Sequence, residues 1–313
     1  MKAGHKGIYN LINILVLGIS AGWFIAAYVL PVDPAVPADP VRIPVVVLTV
    51  VLVHMVKAGR LYLALYGLDM KHGACMKLYC KVTPVSVVLP WKLGEFFRIY
   101  CCGAELGSFL KGGVIILLDR FFDTMALVTM IVLLWLFSGG MIPPLAYVLL
   151  AFLGLVFFLY LAYPGMQEVW KKNLLSAKAT PHRLSMLKLL DTLGRVHGEI
   201  RAVLGGRGIL LYLLSMAAWG VEIGSLAFLQ GTEESIGERV ARYLYAAVGM
   251  EDSVELKRFV VFTIVLLIFA YGIIKLAELI AASRREAKQE KAWRFTEEER
   301  SGALTKKEQG NGL

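Results

Sequence analysis

Most of what catalysis needs in a soluble enzyme is missing from this chain. It contains no HExxH, no GxxxxGK[ST] and no DxD-type metal pair in a soluble setting. Zinc hydrolysis and P-loop phosphate binding therefore have no residues to rest on. No nucleophile stands beside a base, and His72, His182 and His197 fall in polar loops without nameable partners. No catalytic residue, metal or cofactor is expected. Cysteine is scarce: Cys75, Cys80, Cys101 and Cys102 match no zinc or redox spacing. The longest stretch between apolar blocks is about a third of an ordinary domain, which excludes a soluble catalytic domain. The first apolar block is long and lacks a small-residue cleavage site, so no cleavable signal is expected. Charge is also missing, from the long apolar blocks.

What the chain has instead is apolar length. Of its 313 residues 58% are hydrophobic, and the mean hydropathy is +0.65. A soluble domain of this size would be far more polar. The expected fold class is all-α, a polytopic integral membrane helix bundle of about six spans. One re-entrant segment and interfacial amphipathic helices would complete it. The net charge of +9 is spread over the loops rather than gathered on one domain, so nucleic acid is not an expected partner.

Six blocks reach the roughly 20 apolar residues that a span requires. They are Ile8–Leu30, Ile43–Leu65, Val114–Phe137, Leu145–Tyr163, Ile209–Gln230 and Phe259–Ile280. Lys57–Lys111, Gln167–Arg207 and the tail after Ile280 each carry eight Lys or Arg, and Lys2 and Lys6 precede the first block. The positive-inside rule then places these segments and both termini in the cytoplasm. The cysteines fall on that side, where thiols stay reduced. Pro31–Arg42, Ser138–Pro144 and the acidic Gly231–Arg258 lie outside. The domains follow: a transmembrane unit over 1–282 and a charged cytoplasmic tail over 283–313. The expected localisation is the cell inner (cytoplasmic) membrane, multi-pass. Met186, Leu189, Leu190, Leu193, Ile200 and Leu204 recur at helical spacing between charges. They mark an amphipathic helix, lying on the membrane face or packed on the bundle's loops. Ile236, Val240, Tyr243, Leu244 and Ala247 suggest a weaker one outside.

Between the second and third blocks lies Leu89-Pro-Trp-Lys-Leu-Gly-Glu-Phe-Phe-Arg98. The eight residues Val82–Leu89 before it make a helix of roughly 12 Å, too short to cross. They are expected to enter the membrane and turn back. A helix starting near Trp91–Glu95, with Pro90 just ahead, would turn free N–H groups toward an anion. Lys92 and Arg98 add full charges, and Glu95 pairs with Arg98 three residues on. The other reading is an interfacial loop with a structural Glu95–Arg98 pair.

Asp119, Arg120 and Asp123 interrupt an otherwise charge-free block. Charges at that depth cost a few kcal/mol each on insertion scales, so they must pair inward or face water. Two acids and one base leave a deficit of one positive charge, for which Arg98, Lys111 and Lys57 are the candidates. The cluster is either a structural lock or a headgroup or proton site. Glu222, the one charge in the fifth block, needs an inward partner. Lys57 and Arg60, on one face with His54, are expected to snorkel to the interface. Lys275 and Glu278 read as a structural pair.

These residues resemble the flippase-like membrane family named for lysylphosphatidylglycerol synthase. The resemblance rests on Leu89–Arg98, on Asp119-Arg-Phe-Phe-Asp123 about twenty residues later, and on Trp219-Gly-Val-Glu222. It covers roughly 8–230. A second proline- and glycine-rich re-entrant motif usual in that family has no counterpart between Gly231 and Ile280, which leaves room for a homodimer or an enzyme partner in the membrane or cytoplasm. The resemblance implies translocation or presentation of an anionic lipid, a phospholipid or a polyprenyl-phosphate-linked sugar. The headgroup site would comprise Lys92, Gly94, Glu95, Arg98, Asp119, Arg120, Asp123 and Glu222. Two rival classes are a membrane-embedded transferase, with Asp191 and Glu199 as donor-binding acids, and a non-catalytic scaffold docking an enzyme through Gln167–Arg207.

Overall fold

The computed structural model describes residues 3–29, 42–68, 70–89, 93–138, 144–176, 180–229 and 259–284, and isolated positions 238, 240, 243, 245, 257 and 286. The described residues are helical, with no strand among them. The elements are α1 (Ala3–Phe24) with a π-helical turn (Ile25–Val29), α2 (Arg42–Leu65), α3 (His72–Val88), α4 (Leu93–Glu105), α5 (Phe109–Ser138), α6 (Pro144–Leu175), α7 (Pro181–Leu204), α8 (Gly208–Leu229) and α9 (Phe259–Arg284). Six of them, α1, α2, α5, α6, α8 and α9, are long and apolar enough to cross a membrane, as expected. The chain is a polytopic membrane protein. The expected outside loops, most of the second amphipathic segment, nearly all of the tail after 282, and Lys92 lie outside the described residues.

Two boundaries differ from expectation. The short helix read as Val82–Leu89 is the second half of the 17-residue α3, which at roughly 26 Å covers most of the hydrocarbon thickness. Lys77 and Lys81 break the apolar run but not the helix. The Lys81 ammonium sits 4.7 Å from the Tyr9 ring centre and donates to the Tyr9 hydroxyl at 3.1 Å. Pro84 is accommodated inside the helix. Likewise α6 runs through Pro164 to Leu175, past the expected end at Tyr163.

The helix α3 turns back into α4 as an antiparallel hairpin: Lys81 lies over Phe97, and Ser86 faces Gly94. The approach at Gly94 is extremely close. A Cβ there would stand 2.3 Å from Ser86 Cα and 2.7 Å from the Val85 carbonyl oxygen. The next turn is as tight, since a Cβ on Gly112 would lie 2.5 Å from the Gly103 nitrogen. Small residues at helix contacts allow dense packing where water supplies no driving force. Here they draw α4 between α3 and α5.

The rest of the core lies where α2 meets α8 and α5. Val50, Val53, Ala126, Ile131, Trp219, Ile223 and Tyr243 are buried together there. By contrast α6 exposes Leu155, Phe157, Phe158, Leu159 and Leu161. So wide an exposed apolar face suits lipid, not water. The expected amphipathic helix is α7, capped by the Thr180 side chain accepting from the Arg183 N–H. It buries Leu190 and Val203, and the Tyr163 hydroxyl donates to the Leu190 carbonyl. Leu184, Leu189 and Leu193 remain exposed.

Two compact units divide the chain, Met1–Leu267 and Ile268–Leu313. The first holds the bundle just described. The described part of the second is the last stretch of α9, where Lys275 and Glu278 pair at 3.8 Å with both side chains half-exposed.

The hairpin geometry makes Gly94→Ala destabilising by about 1–3 kcal/mol, the cost of overpacking against backbone that has nowhere to go. Gly113→Ala is the control, because its Cβ would meet only the Ile99 side chain at 3.8 Å. Melting temperatures of the two variants in one detergent should separate them. Equal stability would show that the Gly94 contact is looser than drawn.

Candidate functional site

The tight hairpin carries Glu95 and Arg98 against α5, and α2 brings Arg60 to the same place. Three arginines and three carboxylates close into a ring. Arg60 donates from Nε to Asp119 Oδ1 at 2.7 Å and from Nη1 to Asp123 Oδ1 at 2.7 Å. Arg98 donates from Nη2 to Asp119 Oδ2 at 3.2 Å and from Nη1 to Glu95 Oε2 at 3.3 Å. Arg120 pairs through Nη2 with Glu95 Oε1 at 2.7 Å and, more loosely, through Nη1 with Asp123 Oδ2 at 3.7 Å. Each of the six carboxylate oxygens thus has its own guanidinium nitrogen. Ser215 of α8 accepts a further bond from Arg60 Nη1 at 2.7 Å.

The ring is formally neutral, which is what a low-dielectric setting requires of groups it does not solvate. It is not evenly buried. Arg60, Arg98 and Asp119 are almost wholly enclosed, with Arg98 only 3% exposed. Arg120 is 41% exposed, with Glu95 at 18% and Asp123 at 15% beside it, so the ring opens at Arg120, and Glu95 is the slightly more exposed of its two partners. Two donors of the ring are unused: among the described residues neither Arg98 Nε nor Arg120 Nε has a hydrogen-bond partner, although both atoms are buried. Such an orphan costs about 1–3 kcal/mol, more when charged, unless something accepts from it.

A second neutral cluster lies beside the first. Lys57 donates to Glu222 Oε2 at 3.0 Å, and the Tyr243 hydroxyl donates to Glu222 Oε1 at 2.5 Å. The Lys57 ammonium also stands 5.7 Å from the Trp219 ring centre. Burial, then the adjoining carboxylate, push the Tyr243 phenol well above its usual range, which keeps it a donor. One further turn along α2, His54 Nδ1 lies 2.7 Å from the Tyr79 hydroxyl and Nε2 lies 3.2 Å from Thr263 Oγ1.

The structure therefore brings Glu95, Arg98, Asp119, Arg120 and Asp123 into one ring and sets Glu222 in its neighbour. Gly94 holds α4 to α3 rather than facing the ring's open edge. Lys57 and Arg60 do not snorkel: Arg60 is buried in the ring and Lys57 is the partner that Glu222 needed. Arg98 and Arg60 together make up the charge deficit around Asp119. Lys111 is engaged elsewhere, 3.7 Å from Glu199 on α7. Arg60 was the residue missing from the sequence-derived site. Its signal was the three-residue spacing of His54, Lys57 and Arg60 opposite an acid excess. Asp191 pairs with Arg195 on the exposed face of α7, so the two acids proposed for a transferase each have their own base. Among the described residues no cluster of His, Cys, Asp or Glu is arranged to hold a metal.

The family model described as Lysylphosphatidylglycerol synthase TM region matches residues 11–231. No curated protein and no solved structure gives a significant match.

Removing one partner of a buried pair is far costlier than removing both. Arg60→Met and Asp119→Leu should each lower stability by about 3–5 kcal/mol. The double variant should cost clearly less than their sum, by about 1 kcal/mol or more. Unfolding of all three in one detergent checks this, and strict additivity would show that the two residues do not interact.

Proposed function

The chain belongs to the lysylphosphatidylglycerol synthase TM region family, and on that premise we propose that the ring holds the phosphate of an anionic lipid. The Arg98–Arg120 edge would engage the headgroup, and the protein would translocate or present that lipid across the cytoplasmic membrane. The observation that carries this reading is the Arg120 guanidinium, 41% exposed where the ring opens, together with two buried Nε donors, on Arg98 and Arg120, that no group among the described residues accepts from. Guanidinium forks match phosphate oxygens two at a time, which gives geometry as well as charge.

The surroundings favour an amphiphile over a free anion. Phe96, adjacent to Glu95, is 68% exposed, and Leu117, one turn before Arg120 on the same face of α5, is 64% exposed. Acyl chains have apolar side chains to lie against on either side of the charged opening. In this mechanism Arg120 swings from its long contact with Asp123 to the phosphate, while Arg60 and Arg98 keep Asp119 compensated. Glu222, Lys57 and Tyr243 would line the inner wall. Arg120 is the residue that moves because it alone in the ring is well exposed and weakly held on one side.

Arg120 also separates a structural role from a binding one. Its removal leaves Glu95 with Arg98 and Asp123 with Arg60. Arg120→Ala should therefore cost only about 0.5–1.5 kcal/mol of stability, as expected for a partly exposed pair. Arg120→Lys should melt like the parent yet transport poorly, because an ammonium lacks the fork. Melting temperature and lipid translocation in reconstituted vesicles are to be measured together. A Lys variant that transports like the parent would sink the headgroup role.

The charge distribution over the loops supports a cytoplasmic N-terminus. Cysteines introduced at 31–42 should react with an impermeant reagent added to intact cells. Reaction only after permeabilisation would reverse the orientation.

A further inference from the structure

Glu95 makes contacts that a lipid phosphate would make. Its two oxygens bridge Arg98 Nη1 at 3.3 Å and Arg120 Nη2 at 2.7 Å, and these are the two guanidinium groups whose Nε donors are unused. A phosphodiester presents two equivalent oxygens with the same forked arrangement and a single negative charge. It is also larger, with ester oxygens that can accept from the Nε donors a carboxylate leaves empty. Glu95 sits on the open edge, whereas Asp119 is almost fully enclosed between Arg60 and Arg98 and Asp123 is anchored by Arg60. Glu95 is thus the carboxylate that an incoming phosphate displaces.

The displaced carboxylate then has a problem of charge. The ring is neutral before binding, with three guanidinium groups and Glu95, Asp119 and Asp123. A bound phosphodiester makes it net negative. Among the described residues α4 offers Glu95 only Arg98, and α5 offers Arg120, with Asp119 and Asp123 beyond; both cations and both anions are then committed. From α3, Lys81 is held by Tyr9 and Tyr79 by His54. At an edge flanked by the exposed Phe96 and Leu117, which face lipid in this reading, an ionised carboxylate without a partner is expensive, and such a group neutralises instead.

We infer that Glu95 is an internal stand-in for the lipid phosphate, exchanged for it with uptake of one proton per lipid bound. The balance is simple. The phosphodiester takes the two Nη contacts, Glu95 releases them, and one proton from water converts its carboxylate to the acid. No bond to phosphorus changes. Headgroup binding and release are thereby coupled to proton uptake and release, which gives a lipid carrier of this class a link to a proton gradient. This inference rests on the headgroup role of the ring.

The test is calorimetric. Short-chain phosphatidylglycerol is titrated into the purified protein at one pH in two buffers of different ionisation enthalpy, which counts protons taken up per lipid. The headgroup has no amine, and its phosphodiester stays ionised throughout, so any proton belongs to the protein. The native protein should take up about one, and over the pH range where that uptake occurs its affinity should fall as pH rises. Glu95→Gln should bind at least as tightly, take up none, and lose the pH dependence. Binding by the native protein with no proton uptake would overturn the inference while leaving the headgroup site standing. Persistent uptake in Glu95→Gln would overturn it by placing the proton elsewhere. No binding at all by the native protein would instead remove the headgroup reading itself. A native count of zero overturns the inference whether or not Glu95→Gln folds, and Glu95→Asp, which keeps the carboxyl group, should keep the uptake where Glu95→Gln loses it.

Discussion

Asp119 is the point on which the bundle turns. It lies about a third of the way along a membrane helix and is almost wholly enclosed. Each of its oxygens accepts from a different helix, Arg60 of α2 and Arg98 of α4. Apolar side chains give little directional information inside a bilayer, because lipid tails compete with them on equal terms. Ion pairs do give it. Sliding any one of α2, α4 or α5 by a single turn, about 5.4 Å, would strip a carboxylate of its partner. The ring sets the register of three helices, and Ser215 ties in a fourth.

That register depends on how close α4 can come. Without a side chain at 94, 103 and 112, α4 lies within backbone distance of α3 and α5. Only then does Arg98, a buried side chain on a 13-residue helix, reach Asp119. The chemistry of the Glu95–Arg120 edge is downstream of that packing. A hairpin too short and charged to register as a span is what puts charge into the centre of the bundle.

The span count, the hairpin and the acid–arginine cluster were legible in the sequence because each leaves a local mark: length of apolar run, proline and glycine, charge where none belongs. Arg60 was not legible in the same way. It lies five residues from the end of α2, where a long basic side chain ordinarily reaches the interface. What distinguished it was non-local: two aspartates 59 and 63 residues further on. The length of α3 was hidden for a similar reason. Lys77 and Lys81 end a hydropathy run, but Lys81 is satisfied by Tyr9, 72 residues earlier. Composition reports what a residue costs to bury and is silent about which distant partner offsets that cost.

The helix α2 shows how the two clusters stay separate while sharing one support. His54, Lys57 and Arg60 follow one another at three-residue intervals and face three different sets of partners. Leu48, Leu52 and Met55 are exposed on the same helix, as a lipid-facing surface requires. Its mean composition is that of an ordinary span, yet it has one polar edge and one apolar edge. Because Lys57–Glu222 is neutral by itself and the arginine ring is neutral by itself, neither needs the other for charge compensation. Arg60, buried and held by both aspartates, keeps α2 and α5 together.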